Sequence, residues 1–224
     1  MKKTLFMTTA LLLCAHAELF TEHFSNGVVK SQIEYKDGTR TDTKEGIKDG
    51  KEKIYYSTGE LAYEVTNVDG KREGALNWFD RDGKHLEVIH YQKGKRHGIN
   101  KLFYPNGKLR AEVMYINDKK EGPYKEYFDT GRLALEVNYR NDRKEGMQKE
   151  YYPNGKLYTE VLYKNGYKEG IQTWYDKEGK VIQTQKFKMD RPLDVIKKLR
   201  TKKPDATNEL LKGLDFDPNK RKIE

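Results

Sequence analysis

The sequence predicts an all-β fold: an elongated, single-layer, twisted antiparallel sheet of tandem β-hairpins, with a short helical segment at the carboxy terminus. Two glycine series keep a constant phase along the chain, and period-two strand patterns lie between them. The composition is the third observation. Charged and apolar residues each make up 35%, too lean for one thick core, while 16 tyrosines supply rings that bury with their hydroxyls still wet.

The chain opens with a segment to be set aside from fold reasoning. Lys2 and Lys3 precede an apolar stretch, Thr4 to Leu13, and Ala15-His16-Ala17 has the small-x-small pattern read by signal peptidase. Residues 1–17 are expected to be a signal peptide cleaved before Glu18. A membrane-spanning helix needs about 20 apolar residues, roughly twice what is present. Cys14 offers a lipoprotein anchor instead, but Leu13 stands where such signals place a small residue. Cleavage after Ala17 removes the only cysteine, so packing rather than a disulfide must stabilise the mature chain. The predicted address is therefore periplasm, cell envelope or exterior.

Residues 18–187 form the expected array. One glycine series runs Gly50, Gly74, Gly98, Gly122, Gly146, Gly170, and a second runs Gly59, Gly83, Gly107, Gly131, Gly155, Gly179; both advance by 24 residues. A partial unit with Gly27, Val29, Ile33, Tyr35 and Gly38 precedes them, followed by an insertion around Thr39 to Gly46. Within a unit, Ile99, Lys101 and Phe103 alternate with Asn100, Leu102 and Tyr104. Pro105-Asn106-Gly107 then supplies turn chemistry. The return strand sets Leu109, Ala111, Val113 and Tyr115 on one face, and Lys108, Arg110 and Glu112 on the other. A polar loop such as Asn117 to Gly122 is expected to lead onward.

One hairpin is unstable alone in water. Stacked units would align an aromatic column (Tyr55, Phe79, Phe103, Tyr127, Tyr151, Tyr175), each ring meeting the next, and would sum nearest-neighbour terms. Six units imply about 12 strands, roughly 55–60 Å at about 4.8 Å each. In residues 188–224, Pro192-Leu193-Asp194 opens a predicted short helix with Ile196 and Leu199; a second is expected after Pro204, with a tail beyond Phe216.

The recurring unit, clearest in Tyr151-Tyr152-Pro153-Asn154-Gly155-Lys156-Leu157 and Phe103-Tyr104-Pro105-Asn106-Gly107-Lys108-Leu109, resembles the MORN repeat in its bacterial variant form. The resemblance covers about residues 20–187. It implies a hairpin sheet used for protein interaction, with phospholipid contact proposed for some members and an antitoxin role for some bacterial ones. Val88 and Thr184 depart from the usual Glu and Asn67 from the usual Tyr, so the second and last units are expected to be less regular.

Several residues are candidates for recognition. Lys101, Lys125 and Lys149, in a column with Lys53, face a Glu column (Glu64, Glu112, Glu136, Glu160), which reads either as a charged stripe or as a solvated face. Trp78 and Trp174 interrupt the repeat and are candidates for that reason, whereas tyrosines at strict spacing read as packing between units. His23, His85, His90 and His97 lack metal-ligand spacing, and lysines crowd the Asp/Asn-Gly loops, so no metal or cofactor is expected. No nucleophile elbow or phosphate-cradling loop occurs, which argues against an enzyme.

The net charge is +9, of which Lys2 and Lys3 hold +2 and residues 188–224 hold +4, leaving +3 on the array. A repeat built to wrap nucleic acid would concentrate charge the other way. The expected function is a non-enzymatic, exported interaction or scaffold protein with an unknown protein partner. The alternatives are binding of anionic lipid headgroups or cell-wall polymer through the basic tail (Lys197, Lys198, Arg200, Lys202, Lys203 and Lys220-Arg221-Lys222), and an exported antitoxin or immunity role.

Overall fold

A computed structural model describes residues 17–40 and 46–196. The strands are Glu18–His23 (β1), Val29–Tyr35 (β2), Lys48–Tyr55 (β3), Leu61–Val68 (β4), Lys71–Phe79 (β5), His85–Gln92 (β6), Lys95–Arg96 (β7) and Gly98–Phe103 (β8). They continue as Leu109–Ile116 (β9), Lys119–Tyr127 (β10), Leu133–Arg140 (β11), Arg143–Tyr151 (β12), Leu157–Lys164 (β13), Tyr167–Tyr175 (β14), Val181–Lys188 (β15) and Arg191–Ile196 (β16). All belong to one 16-stranded antiparallel sheet in chain order, with the short β7 paired only to β6. The six units supply the 12 strands expected from the repeat. The others are β7, β16 and a full hairpin, β1–β2, where only a partial unit had been expected.

Two turns alternate along the sheet. The wider one follows each first strand: Tyr104 N–H donates to Lys108 O at 2.9 Å and Gly107 N–H to Tyr104 O at 2.8 Å, a pattern repeated at Tyr152, Phe128 and Tyr56. In it the Asn106 carboxamide oxygen accepts from Lys108 N–H at 3.0 Å, as Asn154 does from Lys156. This is the hairpin read from Pro-Asn-Gly.

The second turn differs from the expected polar loop. Only two residues reverse the chain, both with positive φ: Asn117 (50°) and Asp118 (70°), then Asn141 (49°) and Asp142 (64°). Such tight primed turns match strand twist, and Asn and Asp tolerate the left-handed region better than most residues. Lys119, Lys120 and Glu121 therefore lie in β10, not in a loop.

The next strand then bends. Lys120 pairs with Tyr115 and Tyr124 with Val113, so β10 carries two more residues than β9 between the same rungs; β12 does the same against β11. Gly122 (φ 88°) and Gly146 (φ 85°) sit at these bulges, in a backbone conformation that side chains resist. This is what the first glycine series is for.

Each return strand buries one face. Val65, Ile89, Val113, Val137 and Val161 form a buried column, one in each of the first five units, flanked by Tyr91, Tyr115 and Tyr163 and by Ala111 and Leu135, with Gln185 at the same position of the sixth. Fully burying one such valine contributes about 1.5 kcal/mol or more. Cations close the column from the tight-turn end: the Arg96 guanidinium lies 4.3 Å from the Tyr115 ring centroid, Lys144 Nζ 4.9 Å from that of Tyr163, and Lys168 Nζ 5.0 Å from that of Phe187. Their aliphatic stems cover the rings while the charge meets the π face.

The carboxy-terminal expectation needs correction. Residues 191–196, where a helix was expected to open, form β16, paired to β15 from Lys188↔Arg191 to Thr184↔Ile196. Met189 and Asp190 (φ 49° and 63°) make another copy of the tight turn, which returns the chain onto an open edge. A ready ladder outcompetes an isolated short helix, whose nucleation is costly. Pro192, which lacks an N–H, is tolerated on this outermost strand. Leu199, the helix after Pro204 and the basic tail lie outside the described residues, as do residues 1–16 with Cys14 and Ala15.

Candidate interaction surface

The sheet has two chemically distinct faces. The buried face holds the valine column together with a polar row that alternation alone did not reveal. Glu52, Leu76, Asn100, Tyr124, Gln148 and Gln172 occupy one position of successive units, all buried. The polar members find partners, except that Asn100 Nδ2 is buried without one. Glu52 accepts from Lys48 Nζ at 2.7 Å, Tyr63 Oη at 2.8 Å and Asn67 Nδ2 at 3.0 Å. Burial raises the Glu52 pKa, but that ammonium and the two hydrogen bonds outweigh it and hold the group below its ordinary value.

Gln148 takes a bond from Lys144 Nζ at 2.6 Å and gives one to Glu150 at 2.7 Å; Asn100 Oδ1 accepts from His90 N–H at 2.9 Å. Glu126 accepts from the Tyr124 hydroxyl, yet burial wins there and its pKa is raised. The Lys144 pKa is lowered, first by burial and then by Lys168 and Lys120, against the pull of Glu150 and Glu126.

Trp78 lies in this interior, only 6% exposed, beside Leu76, Ile89 and Tyr91, with its ring 4.6 Å from that of Tyr63. It offers no open indole face. Trp174 is half-buried on β14 opposite Thr159 and Gln183. Neither tryptophan shares a face with the lysines singled out by the sequence.

The other face is open. Register places Lys101, Glu112, Lys125, Glu136, Lys149 and Glu160 side by side on six consecutive strands, β8 to β13, so charge alternates strictly across the sheet. Within this row no lysine comes within ion-pair distance of a glutamate. The glutamates are held by tyrosines instead: Tyr127 Oη donates to Glu112 at 2.8 Å, and Tyr151 to Glu136 and Tyr175 to Glu160, both at 2.7 Å. These are members of the aromatic column expected to stack ring on ring, and their partners here are carboxylates. Burial, the bond to Glu112 and its charge push the Tyr127 phenol up to about 12.

Beside the charged row runs an apolar stripe that sequence reasoning missed. Ile99 pairs with Met114, Pro123 with Asn138, Met147 with Leu162, and Ile171 with Lys186, one step from the charges on the same face. The signal was present at the residue following Gly98, Gly122, Gly146 and Gly170. The 24-residue period does not tell which face that residue takes once the strand bends.

A shallow recess of about 480 Å³ opens at the bends, lined in part by Glu121, Gly122, Glu145, Gly146 and Leu162. Glu121 and Glu145 are not free in it. Each accepts, at 2.8 Å, from a tight-turn N–H of the next hairpin, at Asn141 and Asn165. They cap turns. Among the described residues no group of three or more His, Cys, Asp or Glu is placed to hold a metal ion, and no helix is long and apolar enough to cross a membrane.

Comparison with known proteins agrees with this geometry. The family model described as MORN repeat variant matches residues 19–37, 48–66, 96–117, 120–141, 144–165 and 168–189. It passes over residues 67–95, the stretch containing Asn67 and Val88, although β5 and β6 pair there as in the other hairpins. The last unit, with Thr184, is matched.

No curated protein matches. Among solved structures, a mutant S. aureus TarM in complex with Fondaparinux, alpha-GlcNAc-glycerol and UDP is 14% identical over 43% of this chain and 19% of that one, with a TM-score of 0.30. A second TarM structure is 16% identical over 42% and 20%, with a TM-score of 0.29. The chain thus spans about a fifth of those proteins, at a score too low to support any argument. Repeats of the matched kind generally mediate protein or membrane interaction and are in general non-enzymatic. With more than half of its residues matched in six copies, the chain belongs to the MORN repeat variant family.

Proposed function

We propose that this is an exported, non-enzymatic interaction or scaffold protein that works through the open face of its sheet. The observation that carries the reading is the row from Lys101 to Glu160 with its adjoining apolar stripe, presented in register on consecutive strands. Such a face binds by summing weak contacts along a rigid array, so affinity grows with the number of repeats engaged. Lys101, Lys125 and Lys149 are the recognition residues in this reading; Trp78 and Trp174 support the opposite face.

Export rests on the amino-terminal pattern ending at Ala15 and Ala17. It is tested by fractionating cells and sequencing the mature amino terminus, which should begin at Glu18. The interaction role is tested by crosslinking the tagged protein in intact cells and deleting units singly. Progressive loss of one captured protein supports it, and capture of nothing above control refutes it.

A further inference from the structure

We infer that the first occupant of the open face is a second copy of this chain, packed face to face about a two-fold axis running parallel to the strands between β10 and β11. This rests on the interaction reading above and names a partner for that same surface.

The charge order carries the argument. Along β8 to β13 the row reads Lys101, Glu112, Lys125, Glu136, Lys149, Glu160. A two-fold axis parallel to the strands reverses this order in the partner while keeping each residue at the same height along its strand. Lys101 then meets Glu160, Glu112 meets Lys149, and Lys125 meets Glu136, every pair opposite in sign. The register shift by one strand, which would be the nearest competing arrangement, sets like charges against each other and is penalised.

The same operation brings the apolar stripe onto itself. Ile99 comes opposite Leu162, Met114 opposite Met147, and Ile171 opposite His90 on the strands just outside the row. These side chains are unusually open for their chemistry: Ile99 is 46% exposed, Met147 41%, Leu162 39% and Ile171 53%. Two facing sheets pack about 10 Å apart with aligned strands, so side chains of this length interdigitate. Six strands at about 4.8 Å by eight residues at about 3.3 Å give a face of roughly 750 Å². That approaches the ~800 Å² per partner of a stable specific interface. The lysine ammonium groups, without a carboxylate partner inside their own row, are available to the second copy.

The test measures molar mass in solution by light scattering over a concentration series, using the protein as its own cells process it. The wild type should run at twice the mass of one chain. Lys125→Glu and Glu136→Lys should each lose the dimer by at least ~100-fold in dissociation constant, since each sets like charges together at the axis. Mixed in equal amounts, the two variants should recover a dimer containing one of each, because both contacts at the axis then join a carboxylate of one variant to an ammonium of the other. Met147→Lys, at an open position that costs the fold little, should weaken the dimer at least ~10-fold and guards against a charge variant that fails to fold. A wild type that stays monomeric at every concentration overturns the inference, as do charge variants that remain dimeric or mix without recovery. A monomer that still captures a different protein through Lys101, Lys125 and Lys149 refutes the dimer alone and leaves the wider interaction reading standing.

Discussion

The Tyr152 hydroxyl donates a 2.8 Å hydrogen bond to the main-chain carbonyl of Tyr175, 23 residues further on. Tyr104 makes the same bond to Tyr127, and Tyr56 to Phe79, each at 2.7 Å. One phenol thus ties a wide turn to the end of the next unit's first strand. Tyr152→Phe removes this tie and leaves the ring, so it should cost about 1 kcal/mol in urea unfolding. Phe128, which occupies the same position without a hydroxyl, predicts that Phe128→Tyr recovers a similar amount. An unchanged midpoint for Tyr152→Phe would show that the tie contributes nothing.

The tight turn at Asn141–Asp142 should be sensitive to shape more than to polarity. Both residues have positive φ, so Asn141→Val should destabilise by about 1–2 kcal/mol, whereas Asn141→Gly should be close to neutral. Equilibrium unfolding of the pair distinguishes backbone strain from loss of the side chain.

Two buried carboxylates should give opposite pH dependences. Glu52 is held below its ordinary pKa in the folded chain, so its contribution is full above the unfolded value and lost as pH falls through the folded one. Glu52→Gln should therefore destabilise at neutral pH, with the difference closing in acid. Glu126 is raised, so the fold favours its protonated form and the contribution is lost as pH rises through the folded value. Glu126→Gln should stabilise at neutral pH and lose that advantage in acid. Thermal melts of both variants from pH 3 to 8 check the signs, and parallel curves for the two would contradict the assignment.

Removing residues 123–146, one full period, joins Gly122 to Met147 in the register that Gly146 has now. The product should remain a cooperatively folded sheet of lower stability, about 10 Å shorter by small-angle scattering, because each unit touches only its neighbours. A deletion shorter by one residue should not fold, since it turns every following side chain to the wrong face.

Much of the array was legible before its structure. On the return strands, Ala111, Val113 and Tyr115 alternate cleanly with Arg110, Glu112 and Met114, and the buried face follows from that pattern. The first strands were not legible in the same way. In β8 an isoleucine faces outward and Asn100, fully buried, faces inward, against what hydropathy alone would assign. Asn100 is accommodated because His90 N–H bonds its carboxamide oxygen, a partner ten residues away that local pattern does not show. Trp78 was singled out as an interruption of the repeat, and packing takes it into the core with Leu76 and Ile89.

The sequence by itself determined the period, the hairpin turns, the lysine and glutamate columns and the side of each return strand that buries. These depend on short-range chemistry: turn residues that accept the required φ, and alternation that separates two faces. Tertiary structure alone decided that the supposed polar loops are strand, that Gly122 and Gly146 bend the chain there, and that residues 191–196 extend the sheet. It also decided which mixed face of the first strands is covered. Those outcomes depend on pairing with the adjacent strand, β9 for β10 and β15 for β16, where an open ladder of backbone donors and acceptors outweighs the local preference of any single segment.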